Sequence, residues 1–353
     1  MIFMGLDDTA PSMRLARAVS NREGRVLLGQ GAELTEAYVA RLKGFGIRRL
    51  WVRDDRLRDI EPLEVFSPKL RARLAGRFQE VTAALAKDPG ALKGILTGGL
   101  IEALTSEAME ARRTLIPPPE EGVQEDPLTG HSVRVCLLAV SMGTLLMYSP
   151  EQLRNLAIGA LIHDVGHLLT KGTTASIPWE MDAVCQEHAH LGFESVLHAR
   201  HLSATISVVC LQHHERMDGQ GWPRKLSGSA IHPFARLTAV ADRFDTLVFG
   251  PEALMPHVVK QRLAEDAGVG LDAEIVKLLL SRTASYPAGT PLRLSSGEQA
   301  VVLGAPTGSL DRPLVRVLST VSDPYDLDLA SEPGIEIEAV KWSAPVVDER
   351  APV

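Results

Sequence analysis

Cysteine is scarce: Cys136, Cys185 and Cys210 are the three thiols in 353 residues, and none belongs to a CxxC pair. That excludes a disulfide framework and points to buried thiols in a reducing compartment. Aromatic residues make up only 5%, too few for the stacking platforms that grip single-stranded nucleic acid. Positive charge is short too. Against 44 Asp and Glu there are 37 Lys and Arg, a net charge of −7, so the basic stripe that polymeric nucleic acid requires is missing. A small anionic ligand remains compatible, because a bound metal supplies local positive charge. No apolar run reaches the ~20 residues of a membrane span; the most apolar stretches, 135–148 and 156–169, are broken by polar residues. The opening MIFMGLDDTAPS is acidic where a signal peptide is basic. The expectation is a cytoplasmic protein without membrane contact.

Apolar residues at 45% and charged residues at 23% are ordinary for a globular chain, and the length allows two or three domains. Four segments follow from the pattern. Residues 1–62 read as a small α+β domain. In it MRLARAV, RVLL and RRLWV are strands, and TEAYVARLKGFG is a helix capped by Thr35. Residues 63–118 read as a helical linker, periodic at Leu70, Leu74, Phe78, Val81 and Leu85 and broken by DPG at 88–90, running into a Pro-rich loop. Residues 119–284 read as all-helical, with helices over 131–147, 151–169, 180–199, 202–214, 232–248 and 272–282. Residues 285–353 read as a β-rich extension, with a hairpin turning at Ser296-Gly297 and further strands in RPLVRVLS and IEIEAVKW. The fold class is therefore mainly α.

Eleven histidines cluster between 131 and 257, and this clustering is the most informative feature. His131 opens one expected helix, His163-Asp164 sits late in the next, His188 and His190 lie in a third, and His213-His214 ends a fourth. Asp242 and Asp245 lie in a fifth. A single histidine on a helix is usually a surface or core residue, and one His-Asp pair arises by chance. The weight lies in the series. Imidazoles with carboxylates suit a mixed metal site, and a carboxylate bridges two cations. Ions ~3.5–4 Å apart suit phosphoester hydrolysis, in which a bridging water loses a proton and attacks phosphorus. Neighbouring side chains on a helix diverge by about 100°, so a His-Asp pair reaches two ions only from between them, which favours Asp164 as the bridge.

The stretches HSVRV, LIHDVGH, EHAHLGFESVL, QHHERMDGQGWP and AVADRFDTL resemble, in order and spacing, the HD-GYP family of HD-superfamily phosphodiesterases that hydrolyse cyclic di-GMP. The resemblance runs from about residue 126 to residue 283, and the flanking segments are similar to units that often accompany this domain. It implies an HD-type helical domain and a binuclear centre of iron or manganese. It implies that His131, His163 and Asp242 hold one metal, that His188, His213 and His214 hold the other, and that Asp164 bridges them. It also implies signalling partners at the GWP loop.

Four positions depart from the family pattern. His167 stands where HDxGK has lysine, and a neutral imidazole meets a phosphate more weakly than an ammonium. Pro127 stands where three-metal members have a glutamate ligand, which favours two metals. Trp222 replaces the GYP tyrosine, keeping a ring and losing the phenol. TLVFGPEALMP replaces the basic RPYK-like segment, so that Gly250 or Pro251 stands for the arginine and Ala253 or Leu254 for the lysine. Two lost charge-assisted contacts cost ~1.5–3 kcal/mol each; Arg224 and Lys225, just beyond GWP, are candidates to compensate. The expectation is a metal-dependent cyclic di-GMP phosphodiesterase. The alternatives are a degenerate module acting as nucleotide receptor or signalling scaffold, and a hydrolase of another phosphoester.

Overall fold

The computed structural model describes residues 1–20, 26–45, 47, 49–57, 60, 65–85, 92, 99–111, 127–170, 183–199, 202–250, 252, 254–305, 309–318 and 323–340. Packing gathers the chain into two compact units where the sequence pattern draws four segments. One comprises 64–116 and 126–283, the other 1–63, 117–125 and 284–353. The break at DPG 88–90 and the whole of 114–126 fall outside the described residues.

The first unit is helical. Helix α1 belongs to the other unit; here α2 (Pro68–Leu85) and α3 (Leu100–Glu110) precede α4 (Pro127–Leu145), α5 (Pro150–Leu161), α6 (Ala183–His198), α7 (Ala204–Gln212), α8 (Pro233–Phe249), α9 (Pro256–Asp266) and α10 (Ala273–Leu280). The periodic positions of α2 are all buried, Leu70, Leu74, Phe78, Val81 and Leu85 alike. Its start is tied down by Ser67, whose hydroxyl accepts from Leu70 N–H and donates to Glu107 of α3. Helix α4 begins at Pro127, a turn earlier than the periodicity suggests, because proline at a helix start gives up only an N–H the helix cannot use. It is apolar on every side and packs as the central helix. Among the described residues it alone is long and apolar enough to cross a membrane, and 89% of that stretch is buried in this unit. Cys136 and Cys210 are buried free thiols; the side chain of Cys185 lies outside the described residues.

Helix α5 carries a capping box, Ser149 with Gln152, and stops at Leu161. His163 and Asp164 therefore sit in the turn beyond the helix, not inside it as the periodicity suggested, and a 3-10 turn, Val165–Leu169, follows. Helix α9 was not expected, because PHVVKQRLAED buries only Pro256, Val259 and Leu263.

The other unit joins both chain ends. Strand β1 (Ile2–Gly5) pairs antiparallel with β4 (Arg49–Val52), β2 (Val19–Ser20) pairs with β3 (Val26–Leu28), and α1 (Glu36–Gly44) is capped by Thr35 as expected. Of MRLARAV only Val19 enters a strand, β2, while Arg14 and Leu15 make isolated bridges. The C-terminal part is a five-stranded antiparallel sheet in the order β8-β7-β6-β5-β9. Its strands are β5 (Pro291–Leu294), β6 (Gln299–Gly304), β7 (Leu314–Val317), β8 (Tyr325–Asp328) and β9 (Ile337–Val340). The β5–β6 hairpin turns where Ser296-Gly297 requires. Val301 and Leu318 complete the N-terminal core of Ile2, Met4, Leu34, Leu50 and Val52. Truncation after residue 284 removes both side chains from that core, so the β1 and β4 amides are expected to lose protection in hydrogen exchange.

Candidate metal centre

Five structural elements deliver the histidines and acids to one place. Helix α4 supplies His131 one turn in from its start, and the turn after α5 supplies His163 and Asp164. Helix α6 supplies His188, the end of α7 supplies His213 and His214, and α8 supplies Asp242 and Asp245. His131, His163, His188, His213, Asp164 and Asp245 are all at most 5% exposed. Close backbone packing brings Asp164 to His188. A Cβ at Gly166 would lie 1.9 Å from the His188 carbonyl oxygen, so only glycine lets the 3-10 turn rest on α6.

The carboxylate of Asp164 faces two ways. Its Oδ2 lies 3.5 Å from His131 Nε2 and 3.4 Å from His163 Nε2, which are themselves 3.2 Å apart. Its Oδ1 lies 3.3 Å from His188 Nε2 and 3.2 Å from His213 Nε2, and those nitrogens are 3.3 Å apart. Asp242 Oδ1 joins the first group at 3.4 Å from His131 Nε2. His214 joins the second, with ligand atoms all within 4.8 Å of one another.

The far side of each ring fixes which nitrogen is free to bind. His163 Nδ1 donates to the Ala160 carbonyl at 2.8 Å and His213 Nδ1 to the Val209 carbonyl at 3.1 Å. His131 Nδ1 donates to Asp245 at 2.8 Å, and Asp245 is held in turn by Arg134 at 2.6 and 3.0 Å. In the neutral rings the Nε2 lone pairs then converge on the Asp164 oxygens, a set of mutually repelling acceptors with no proton between them. Asp164 Oδ1 is buried and makes no well-formed hydrogen bond. Buried acceptors of this kind are costly unless a cation sits among them, so the imidazole and carboxylate donors fit divalent metal ions.

Electrostatics keep His163, His167 and His214 neutral. Burial pushes His163 down to about 3 and His167 down to about 4. Burial and the neighbouring imidazoles of His213 and His188 push His214 well down. His131 goes the other way: burial alone would lower it, but the hydrogen bond and charge of Asp245, with Asp242 and Asp164, raise it. Burial would raise Asp164, yet His163, His188 and His213 hold it well below the usual carboxylate range. Burial raises Asp242.

The remaining candidates divide. His167 is stacked on His188, ring centroids 3.9 Å apart, with Nε2 3.9 Å from Asp164 Oδ1. Trp222 is buried and stacked on His214 at 4.1 Å. His190 is exposed on α6, and so are Arg224 and Lys225 beyond the GWP turn. Neither Arg224 nor Lys225 reaches the cluster by a side-chain hydrogen bond or ion pair among the described residues. Pro251 and Ala253 lie outside those residues, whereas Gly250 and the half-buried Leu254 are described and offer no charge. The sequence pattern missed the roles of Asp245, Arg134 and Glu215. Asp245 was visible in AVADRFD, three residues past Asp242, but nothing in the sequence ties it to His131, 114 positions away.

Residues 123–258 match a family model described as HD domain. Over 194 residues the chain is 30% identical to the cyclic di-GMP phosphodiesterase PA4108 of Pseudomonas aeruginosa, which covers 53% of this chain and 47% of that protein. It is 27% identical over 158 residues to the 3'3'-cGAMP-specific phosphodiesterase 2 of Vibrio cholerae, covering 42% of this chain and 30% of that one. The chain thus spans half or less of the length of these curated relatives. Among solved structures, the HDG"Y"P protein Bd1817 of Bdellovibrio bacteriovorus aligns with a TM-score of 0.45 at 17% identity, over 79% of this chain and 98% of that one.

The depressed histidines set the pH behaviour of the metal-free protein. Below its ordinary 6.5, His163 of the unfolded chain takes up a proton that the folded protein refuses until about 3. Stability is therefore expected to fall as pH drops from 6.5, by about 1.4 kcal/mol per pH unit for this group. His167 and His214 act in the same direction. His131, raised, is protonated in both states below 6.5 and adds no slope there, and Asp242 offsets part of the loss toward the acid end. Urea midpoints measured with a chelator from about pH 7 to about pH 5 check the sign.

Proposed function

We propose, from the match to an HD domain over residues 123–258, that the chain is a metal-dependent phosphodiesterase of HD-GYP type and that its substrate is cyclic di-GMP. The observation that carries the reading is the divided carboxylate of Asp164, one oxygen toward His131 and His163 and the other toward His188 and His213. In this reading His131, His163 and Asp242 hold one metal, His188, His213 and His214 hold the second, and Asp164 bridges. Metals so held supply an activated water and positive charge for the phosphate oxygens.

The chain's own residues prepare that chemistry. Hydrogen bonds from Nδ1 turn the Nε2 lone pairs of His131, His163 and His213 inward. Burial keeps His163 and His214 deprotonated at neutral pH, as ligands must be. The half-buried His167, lowered to about 4, meets a phosphate as a neutral hydrogen-bond partner. The likeness to PA4108 supports cyclic di-GMP. The uncharged Gly250 and Leu254 favour a second reading, in which the same centre opens a related cyclic dinucleotide such as 3'3'-cGAMP, on which relatives in Vibrio cholerae act.

Protein loaded with iron(II) or manganese(II) without oxygen is expected to linearise cyclic di-GMP, read by chromatography of the products. Asp164→Ala is expected to abolish turnover. Turnover of 3'3'-cGAMP alone moves the substrate to the second reading. Tight nucleotide binding with no turnover at full metal occupancy makes the domain a receptor and overturns the enzyme. Asp245→Asn keeps the shape beside His131 while removing the charge, and is expected to weaken metal binding by about 10–100-fold, measured by competition with a chromogenic chelator.

A further inference from the structure

The two halves of the centre are braced differently. In the first, His131 leans on Asp245 and His163 on a main-chain carbonyl, both through Nδ1 hydrogen bonds. In the second, His213 leans on the Val209 carbonyl in the same way. Among the described residues neither ring nitrogen of His214 has a hydrogen bond to the protein. Rings surround it instead. The indole of Trp222 lies against its imidazole with centroids 4.1 Å apart and planes 24° apart. The same indole meets His188 edge-on at 5.4 Å and 87°. His167 covers the face of His188.

Trp222 is itself held firmly. It is 7% exposed, and its backbone N–H donates to the His214 carbonyl at 3.2 Å. Glu215, 4% exposed, accepts from the backbone N–H groups of Arg224 at 2.7 Å and Leu226 at 2.9 Å, which ties the chain after Trp222 back to the residue that follows His214. A Cβ at Gly221 would come within 2.3 Å of Arg216 N, so the loop folds back on its own start.

We infer that Trp222 is a positioning residue for the second metal: its indole face, stacked on His214, sets the plane of that ligand where His131, His163 and His213 use a hydrogen bond. The inference rests on the two-metal reading above. Chemistry gives the stack a direction. An imidazole that coordinates a dication becomes positively polarised, and the negative face of an indole attracts such a ring. The contact is stronger with metal bound than without, so it favours the loaded state. Phenylalanine keeps the face; alanine removes it.

The test is manganese(II) titration of metal-stripped full-length protein, followed by calorimetry and by tryptophan fluorescence. Wild type is expected to bind two ions, the second quenching emission that Trp222→Phe lacks, because paramagnetic manganese quenches an indole packed on its ligand. Trp222→Ala is expected to weaken one of the two sites by about tenfold or more and leave the other unchanged, and Trp222→Phe to restore most of the loss. In a cycle with His214→Ala the two losses are expected not to add. Equal affinities in wild type and Trp222→Ala, weakening of both sites alike, no rescue by phenylalanine, or additive losses in the cycle would each overturn the positioning role. Should Trp222→Ala not fold, phenylalanine against leucine at 222 reads the same difference. Wild type that binds fewer than two manganese ions overturns the two-metal reading itself and is recognised before any variant is compared.

Discussion

The helical unit is organised around one carboxylate that has to serve two masters. Asp164 is buried, charged and flanked on each oxygen by a pair of imidazole nitrogens. An isolated buried carboxylate is among the costliest groups a fold can carry. Here the surrounding elements accept that cost together: α4, the turn after α5, α6, the end of α7 and α8 each contribute a group, and none of them has a polar core of its own. The apolar faces of these helices pack the rest of the unit, so the polar cluster is an island in a hydrocarbon core. Its energetic weight depends on whether cations complete it, and the metal-free state carries the desolvation without the compensation.

Much of this was legible in the sequence, for reasons that are local. The cap at Thr35, the apolar stripe from Leu70 to Leu85 and the turn at Ser296-Gly297 are encoded within a few residues of where they act. The histidine series is legible for the same reason, since each ligand candidate carries its own chemistry. What could not be read is what depends on distant partners. Arg134 bonds to Asp245 across 111 positions, and Val301 fills a core built from the first 60 residues. Strand β1, IFMG, looks like an unstructured start until β4 is beside it. The end of α5 was misplaced because LIHDV continues the apolar rhythm after the helix has stopped.

That early stop matters to the site. On a continuing helix, His163 and Asp164 would point about 100° apart with their backbones fixed by the helical ladder. In the turn they are released from that ladder, and Asp164 Oδ2 comes within 3.4 Å of His163 Nε2 while Oδ1 still addresses the neighbouring pair. Sequence logic reached the divided role of Asp164 through a premise, a helical His-Asp pair, that the fold replaces with a tighter arrangement.

The contact at Gly166 has a further consequence. Because the main chain after Asp164 rests directly on the main chain of His188, with no side chain between, the gap between the two halves of the centre is set by backbone against backbone. Side chains can rotate, but the turn that carries Asp164 and the helix that carries His188 cannot drift apart or together without breaking that contact. The centre is therefore a fixed-gauge track: tolerant of what rides on it, intolerant of a change in spacing.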